Sequence, residues 1–227
     1  MCEQLLKNHL AYDIINKNEG EGVTMKKVSF KPGVLLAPLP VVMASLGESP
    51  EEYNIITIAW TGIVNSEPPM TYLSIRKSRH SHGLLLKTKE FVINLPSENL
   101  TFATDFCGVK SGADVNKFEI QKLTPIPAEI VRAPMIMECP INIECKVVDV
   151  FSFPSHDMFV AEILKVHADE NLMDEKGRLQ IEKARLISYV HGEYYGQKTK
   201  RLGTFGYSVM KPKTKKRKAL EKRNKGK

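Results

Sequence analysis

Apolar and polar residues alternate over short stretches of this chain, and the alternation predicts strands more often than helices. It is strongest around residues 140–168, where Pro154-Ser155-His156 interrupts two long runs and predicts a hairpin. We expect strands at 41–47, 54–64, 70–77, 90–95, 140–153, 157–168 and 184–190, and helices near 79–88 and 98–106. Alternation along the longest strands is typical of a barrel wall with one face turned inward. The pattern therefore predicts a mainly β protein.

Residues 54–64 read at strand spacing have two faces of different chemistry. The apolar face, which we expect in the core, consists of Ile56, Ile58 and Trp60, and the opposite face consists of Thr57, Ala59 and Thr61. The small, hydroxyl-bearing face leaves backbone that a flat aromatic ligand can approach, although the same periodicity fits a half-solvated strand equally well.

The segment after the Glu67-Pro68-Pro69 turn carries basic and hydroxyl groups. Alternation over 70–77 puts Tyr72, Ser74, Arg76 and Ser78 on one face. A helical run follows, so that Ser78 or Ser81 is expected to cap a helix start, where unpaired N–H groups favour anions. With His80 and one or two guanidinium groups, the cluster predicts an anion site. Taken singly, Lys77 and Arg79 fit solvated surface and His80 fits a loop histidine.

Charge is distributed unevenly along the 227 residues, of which 42% are hydrophobic and 26% charged. The net charge is +7, but residues 211–227 contain ten Lys or Arg and only one acidic residue, Glu221. The other 210 residues hold 23 basic and 25 acidic side chains. We therefore expect a single folded domain at 25–210 and a basic tail at 211–227 that is disordered. The tail fits a solubilising extension, or a weak hold on a polyanion such as RNA, DNA or an acidic membrane.

The N-terminal residues 1–24 are expected to form an extension outside this domain. They lack the basic start and long apolar core of a signal peptide, and no run of 18 apolar residues occurs. We expect a cytoplasmic protein that does not enter a membrane. The four cysteines lack metal or disulfide spacing, so Cys139 and Cys145 are predicted to be packing residues. His80, His82, His156 and Asp157 could be imagined as metal ligands, but their spacing does not favour a zinc site and we predict no metal.

Six blocks of the sequence, taken in order, resemble one known family. They are NIITIAWTGIVNSEPPM, SIRKSRHSHGLL, EFVINLPSENL, DFCGVKSGADVNKF, ECPINIECKVVDV and SHDMFVAEILKVHAD. Together they cover about residues 26–195 and are similar to the flavin reductase-like FMN-binding split-barrel proteins, close to flavoredoxins. The resemblance implies an antiparallel Greek-key split barrel with a few peripheral helices, a homodimer, and an FMN site near the subunit interface.

The resemblance also assigns expected roles to residues. Beside the flavin ring and ribityl chain it puts Asn54, Thr57, Ala59, Trp60 and Thr61. At the phosphate end it puts Arg76, Ser78, His80 and Ser81. Asn94 matches a polar position of the family, while Cys107, Gly108 and Lys110 match a loop that closes over the flavin. His156 is expected near the barrel mouth, where a role facing the nicotinamide and a structural role both remain open.

The function implied is transfer of hydride from NAD(P)H to the flavin, followed by delivery of electrons to an acceptor protein or small molecule. No side chain is then required as acid, base or nucleophile. A flavoredoxin-like carrier that holds FMN tightly without using NAD(P)H is the alternative within the same fold. A polyanion-binding protein driven by the tail and a scaffold that has lost the flavin are the two others.

Overall fold

The computed structural model describes residues 27–197, 202, 207–211, 213–214 and 217. The predicted extension at 1–24 and most of the tail lie outside these residues. The twelve strands described are β1 Leu39–Pro40, β2 Val42–Leu46, β3 Asn54–Ile58, β4 Thr61–Ser66, β5 Pro69–Arg76, β6 Glu90–Leu95, β7 Pro125–Ile126, β8 Met135–Ile136, β9 Ile141–Ser152, β10 His156–Ala168, β11 Ile187–Val190 and β12 Glu193–Gly196. The α-helices are α1 His80–Thr88, α2 Thr101–Val109 and α3 Lys117–Gln121, and short 3-10 turns span Glu98–Leu100, Glu170–Leu172, Ile181–Ala184 and Tyr207–Val209.

A seven-stranded antiparallel sheet forms the body of the protein, with the order β3-β2-β6-β9-β10-β5-β4. Its two outermost strands, β3 and β4, are consecutive in the chain and are joined by a bend at Ala59 and Trp60. The N–H of Ser74 in β5 donates to the carbonyl of Trp60 at 3.0 Å, which draws the two edges of the sheet together. The sheet is thereby curled into the split barrel that the sequence predicts.

Strands β2 and β3 are covered on both faces. Ile56 and Ile58 point into the barrel, where they pack with Leu73, Phe91 and Phe159 as predicted. Side chains of the opposite face pack under the helices in a second cluster that includes Met43, Ile55, Ala103, Cys107 and Phe118. This second layer explains why Asn54–Ile58 is buried almost throughout instead of alternating between core and solvent.

The predicted elements are largely confirmed, with three corrections. The single strand expected at 54–64 is two strands, because the bend at Ala59 and Trp60 intervenes, and Trp60 is 37% exposed instead of belonging to the core. The helix expected at 98–106 begins as a 3-10 turn and becomes α2 only at Thr101. The strand expected at 184–190 begins at Ile187. Helix α3, the small sheets and β12 had no prediction. The hairpin between β9 and β10 is confirmed, as is burial of Cys139 and Cys145.

None of the helices described is long and apolar enough to span a lipid bilayer.

A buried carboxylate fastens the segment after β7 to the barrel. The side chain of Glu144 in β9 is fully buried and accepts hydrogen bonds from the N–H groups of Glu129, Ile130 and Val131 at 3.0, 2.7 and 2.9 Å. Nε2 of His167 lies 2.6 Å from the same carboxylate. Burial alone would raise the pKa of Glu144, but these donors, His167 first, hold the pKa below its ordinary value.

We predict that Glu144→Gln lowers the free energy of unfolding by about 2–4 kcal/mol, because the amide offers one acceptor where four donors converge. Glu170→Gln, which makes the same change at an exposed position, is the control. Chemical denaturation at neutral pH measures the difference. Since the folded pKa of Glu144 is depressed, its contribution is present above the unfolded pKa and is lost as pH falls through the folded value, so the two variants should converge in acid. An equal free energy of unfolding for both at neutral pH would contradict the structural role of this carboxylate.

Candidate functional site

A groove opens on the outside of the barrel where the chain bends between β3 and β4. The backbone from Thr57 to Trp60 forms its floor, the ends of β5 and α2 form its sides, and the β11–β12 hairpin borders its far end. Its volume is about 370 Å³, within the range of small-molecule and cofactor sites. The groove exists because α2 covers only the first part of the outer face of β3.

Two guanidinium groups and an imidazole mark one end of this groove as basic. Arg76 is the last residue of β5, and Arg79 immediately precedes α1. His156, the first residue of β10, pairs directly with Arg76 across the strands. Partial burial, together with the nearby charge of Arg76, holds the pKa of His156 below its ordinary value. His156 is therefore neutral at physiological pH, and the arginines supply the positive charge.

An aromatic pair forms the wall next to the basic end. The rings of Trp60 and His156 have centroids 4.6 Å apart and planes inclined by 33°. Trp60 is held in this position by the bend, and the Nδ1 atom of His156 is 2.8 Å from the hydroxyl of Ser155. The pair offers a flat, partly exposed surface on which a planar ring can stack.

Helix α2 meets the floor of the groove at a glycine. A Cβ atom built on Gly108 would lie 3.2 Å from the Cβ of Thr57, so a side chain there would push the helix away from β3. The hydroxyl of Thr57 donates to the carbonyl of Thr104 at 2.5 Å. Toward a ligand, the Thr57 oxygen can therefore act only as an acceptor.

Tyrosines border the far end. Tyr194 in β12 donates its hydroxyl to Oδ1 of Asp105 in α2 at 3.1 Å, and its ring packs edge-on against Tyr189 with centroids 5.6 Å apart. Burial, and then Asp105, raise the pKa of Tyr194 well above its ordinary value. Sequence reasoning missed this end because β11 and β12 lie some way along the chain from the floor. The one local signal was His191-Gly192, whose positive φ angles make the two-residue turn of the hairpin.

Six of the residues predicted from the sequence line the groove. They are Thr57, Ala59, Trp60, Arg76, Gly108 and His156. Arg79, read singly as solvated surface, also lines it and is half-buried. The remaining predicted residues are placed elsewhere: Asn54, Thr61, Ser78, His80, Ser81, Asn94, Cys107 and Lys110.

Asn54 and Ser81 are buried partners of each other. Nδ2 of Asn54 donates to the Ser81 hydroxyl at 2.8 Å, which ties the start of β3 to α1. A Cβ atom on Gly112 would fall 2.1 Å from Oδ1 of Asn54, so the loop after α2 seals this pair from above. The hydroxyl of Thr61 is likewise used internally, because it donates to the Tyr72 carbonyl at 2.6 Å. These three side chains position the strands around the groove without lining it.

The expected serine cap of α1 is wrong. The N-cap residue is Arg79, and it makes no capping hydrogen bond through its side chain. Ser78 and His80 are exposed, while the Ser81 hydroxyl lies inside the first turn and is occupied by Asn54. Arg79 instead extends its guanidinium to the carbonyl of Gly108 at the end of α2.

The polar position predicted at Asn94 is part of the core. Its Nδ2 donates to the Met43 carbonyl and the Ser45 hydroxyl, both at 2.9 Å, and its Oδ1 accepts from the Ile136 N–H. Cys107, expected in a loop, is fully buried within α2, and burial raises the pKa of its thiol to about 11. Lys110 is exposed and ends α2. The expected closing loop is therefore the last turn of a helix.

The histidines once considered as metal ligands have other partners. Nε2 of His82 lies 2.7 Å from Oδ2 of Asp157, whose Oδ1 is 3.3 Å from the Lys77 ammonium. The hydrogen bond to His82 is the main cause that lowers the pKa of Asp157. In the described portion of the chain, no group of three or more His, Cys, Asp or Glu side chains is arranged to hold a metal ion.

An antiparallel split barrel with an external, basic-ended groove is the class of protein that fold and site define. The chain belongs to the family of the flavin reductase like domain, whose model matches residues 35–196. This confirms the resemblance seen in the sequence.

Known proteins similar to this chain agree in extent. An uncharacterized protein of Aquifex aeolicus is 31% identical over 185 residues, which cover 78% of this chain and 91% of that one. Among solved structures, the flavoredoxin of Desulfovibrio vulgaris (Miyazaki F) has a TM-score of 0.75 and 29% identity, covering 80% of this chain and 99% of its own. The flavoredoxin of Methanosarcina acetivorans has a TM-score of 0.71 and 26% identity, covering 82% and 100% respectively.

Proposed function

We propose that this protein binds FMN in the groove and passes hydride from NAD(P)H through the flavin to an electron acceptor. The observation that carries the proposal is the arrangement of Arg76, Arg79 and the Trp60–His156 pair around a floor with little side-chain bulk. Guanidinium groups at one end fit a phosphate, while the aromatic wall and the small side chain of Ala59 fit a planar ring. A groove with both features matches the two ends of FMN.

The chemistry of the lining groups agrees with a phosphate at the basic end. Arg76 is exposed at the rim, where its planar fork of donors is free to contact two phosphate oxygens. Arg79 uses part of its guanidinium on the Gly108 carbonyl, so its orientation is fixed before any ligand arrives. Preorganised donors reduce the ordering cost of binding.

The floor agrees with a flavin ring. Ala59 and the neighbouring backbone leave room for a flat ring, and no charged carboxylate lies beside the Trp60–His156 wall among the residues that line it. The bound flavin would supply the hydride-accepting and electron-passing chemistry. The protein's part is to orient the ring, to exclude water through the aromatic wall, and to hold the phosphate. The printed names of the two flavoredoxins support flavin as the redox group.

We predict that Arg76→Met weakens FMN binding about tenfold to hundredfold, because a charge-assisted hydrogen bond to phosphate contributes about 1.5–3 kcal/mol. Riboflavin, which has the same ring and no phosphate, should bind wild type and variant equally. Fluorescence titration of the apoprotein measures both affinities.

Arg178→Met serves as the control for this experiment, since it removes a guanidinium from an exposed loop outside the groove. It should leave the FMN affinity unchanged. Absence of FMN binding to wild type would refute the proposed function, and an equal FMN affinity in wild type and Arg76→Met would refute the phosphate assignment.

A second candidate function is an electron carrier that holds FMN and receives electrons from a protein. The similarity to flavoredoxins favours it as much as the reductase. We predict that purified protein with added FMN oxidises NADH or NADPH well above the rate of free FMN, and that deletion of residues 212–227 leaves this rate unchanged. Steady-state absorbance at the nicotinamide band measures it. Background turnover with intact FMN binding would assign the protein to the carriers instead.

We also propose that two copies of the chain associate beside the groove. Strand β4 is an edge of the sheet, and its Ile63 is 75% exposed, while Phe151 at the end of β9 is 48% exposed. Apolar side chains on an open edge favour pairing with another chain.

Wild type is therefore predicted to be a dimer by light scattering at micromolar concentration, and Ile63→Asp is predicted to shift it toward the monomer. Leu179→Asp, in the loop after β10, is the matched charge control and should remain dimeric. A monomeric wild type would refute this association.

A further inference from the structure

The C-terminal end of α2 is neutralised by two cations that come from different parts of the chain. The last carbonyls of a helix have no partner within the helix. Here the Phe106 carbonyl accepts from the Lys110 N–H at 2.9 Å, the Cys107 carbonyl accepts from Nζ of Lys117 at 2.9 Å, and the Gly108 carbonyl accepts from the Arg79 guanidinium. Cations at this end also interact favourably with the helix dipole. Lys117 and Arg79 are thus linked through consecutive carbonyls of one helix turn.

Lys117 is an unusual lysine because its side chain is buried. Only 2% of the residue is exposed, and its second hydrogen bond, of 2.6 Å, goes to the carbonyl of Ile55 in β3. Its partners in the described part of the chain are carbonyl oxygens and not carboxylates. The side chain therefore fastens α2 and α3 to β3 directly below the floor of the groove.

Burial makes the charge of this lysine labile. Desolvation lowers its pKa to about 8, the thiol of Cys107 opposes that shift, and the positive charge of Arg79 adds to it. A neutral amine keeps two N–H donors, which is the number needed for the carbonyls of Ile55 and Cys107. The contacts of Lys117 therefore survive loss of its proton, and only the charge below the groove changes.

We propose that Lys117 is a positioning residue that couples the binding of an anionic ligand at Arg79 to the uptake of a proton below the groove. An anion beside Arg79 offsets the repulsion between the two cations, so the protonated form of Lys117 becomes more stable when the anion is bound. By linkage, protonated Lys117 then strengthens the binding of the anion. The inference rests on the proposed function, with the phosphate of FMN as the anion.

The other groups that face Lys117 and the groove titrate outside the relevant range. Cys107 on α2 has its pKa raised to about 11, and His156 on β10 has its pKa lowered from 6.5. Arg76 and Arg79 remain charged, and Asp105 on the outer side of α2 remains ionised. A phosphate monoester completes its second ionisation near pH 6. Between pH 7 and 9.5, Lys117 is therefore the group near the groove whose charge changes.

The experiment is a pair of titrations, FMN and riboflavin, against the full-length apoprotein across pH 7–9.5. FMN affinity is expected to fall about threefold to tenfold over this interval, which corresponds to a rise of about half to one unit in the pKa of Lys117 on binding. Riboflavin affinity should stay constant because its phosphate is missing and its ring is the same. In Lys117→Met the FMN affinity should no longer depend on pH in this range.

Lys176→Met is the matched control, since it removes an exposed lysine that lies outside the groove, and it should retain the wild-type pH profile. A second measurement uses only wild type and needs no variant to fold. Carbon NMR of the lysine ε-methylenes should show one resonance with a midpoint near pH 8 in the apoprotein, moving to higher pH with saturating FMN.

The outcomes are separable. FMN binding that is independent of pH, a pH profile that persists in Lys117→Met, or a lysine midpoint that FMN does not move would each overturn the coupling while leaving the proposed function standing. Failure of wild type to bind FMN at any pH would overturn both.

Discussion

The bend at Ala59 and Trp60 is the constraint on which the rest of this structure depends. It takes the chain from β3, at one edge of the seven-stranded sheet, to β4 at the other edge, and the hydrogen bond from Ser74 to the Trp60 carbonyl holds it there. Because the backbone turns away from α2 at this point, a stretch of floor is left uncovered. Closure of the barrel and opening of the groove are thus consequences of the same local geometry.

Helix α2 is the second determinant of the site, because its last turn forms one side of the groove and is fixed from several directions. Gly108 permits close contact with Thr57, and the Thr57 hydroxyl reaches the Thr104 carbonyl. The cations of Arg79 and Lys117 occupy the carbonyls that the helix leaves unpaired. One of these cations faces the groove and the other is buried beneath it, so the positive potential at the basic end has a surface component and an interior one.

Comparison of particular residues shows why some predictions from the sequence succeeded. Ile56 and Ile58 were predicted to lie in the core from strand spacing, and they do, because spacing is a local property of the backbone. Arg76 and His156 were predicted near the site and lie across from each other on paired strands. Ser81 was expected to cap α1, but Asn54, distant in sequence, takes its hydroxyl. No pattern around Ser81 reports on that partner.

The sequence by itself determined the strand content, the long hairpin, the family and the basic and hydroxyl character of residues 74–81. These follow from periodicity, turn residues and side-chain chemistry, which act over a few residues. Only the tertiary structure decided that Trp60 leaves the core to stack on His156, that Tyr194 and Asp105 border the groove, and that Lys117 lies buried below it. Each of these depends on contacts between segments far apart in the chain, and such contacts are set by how the barrel closes.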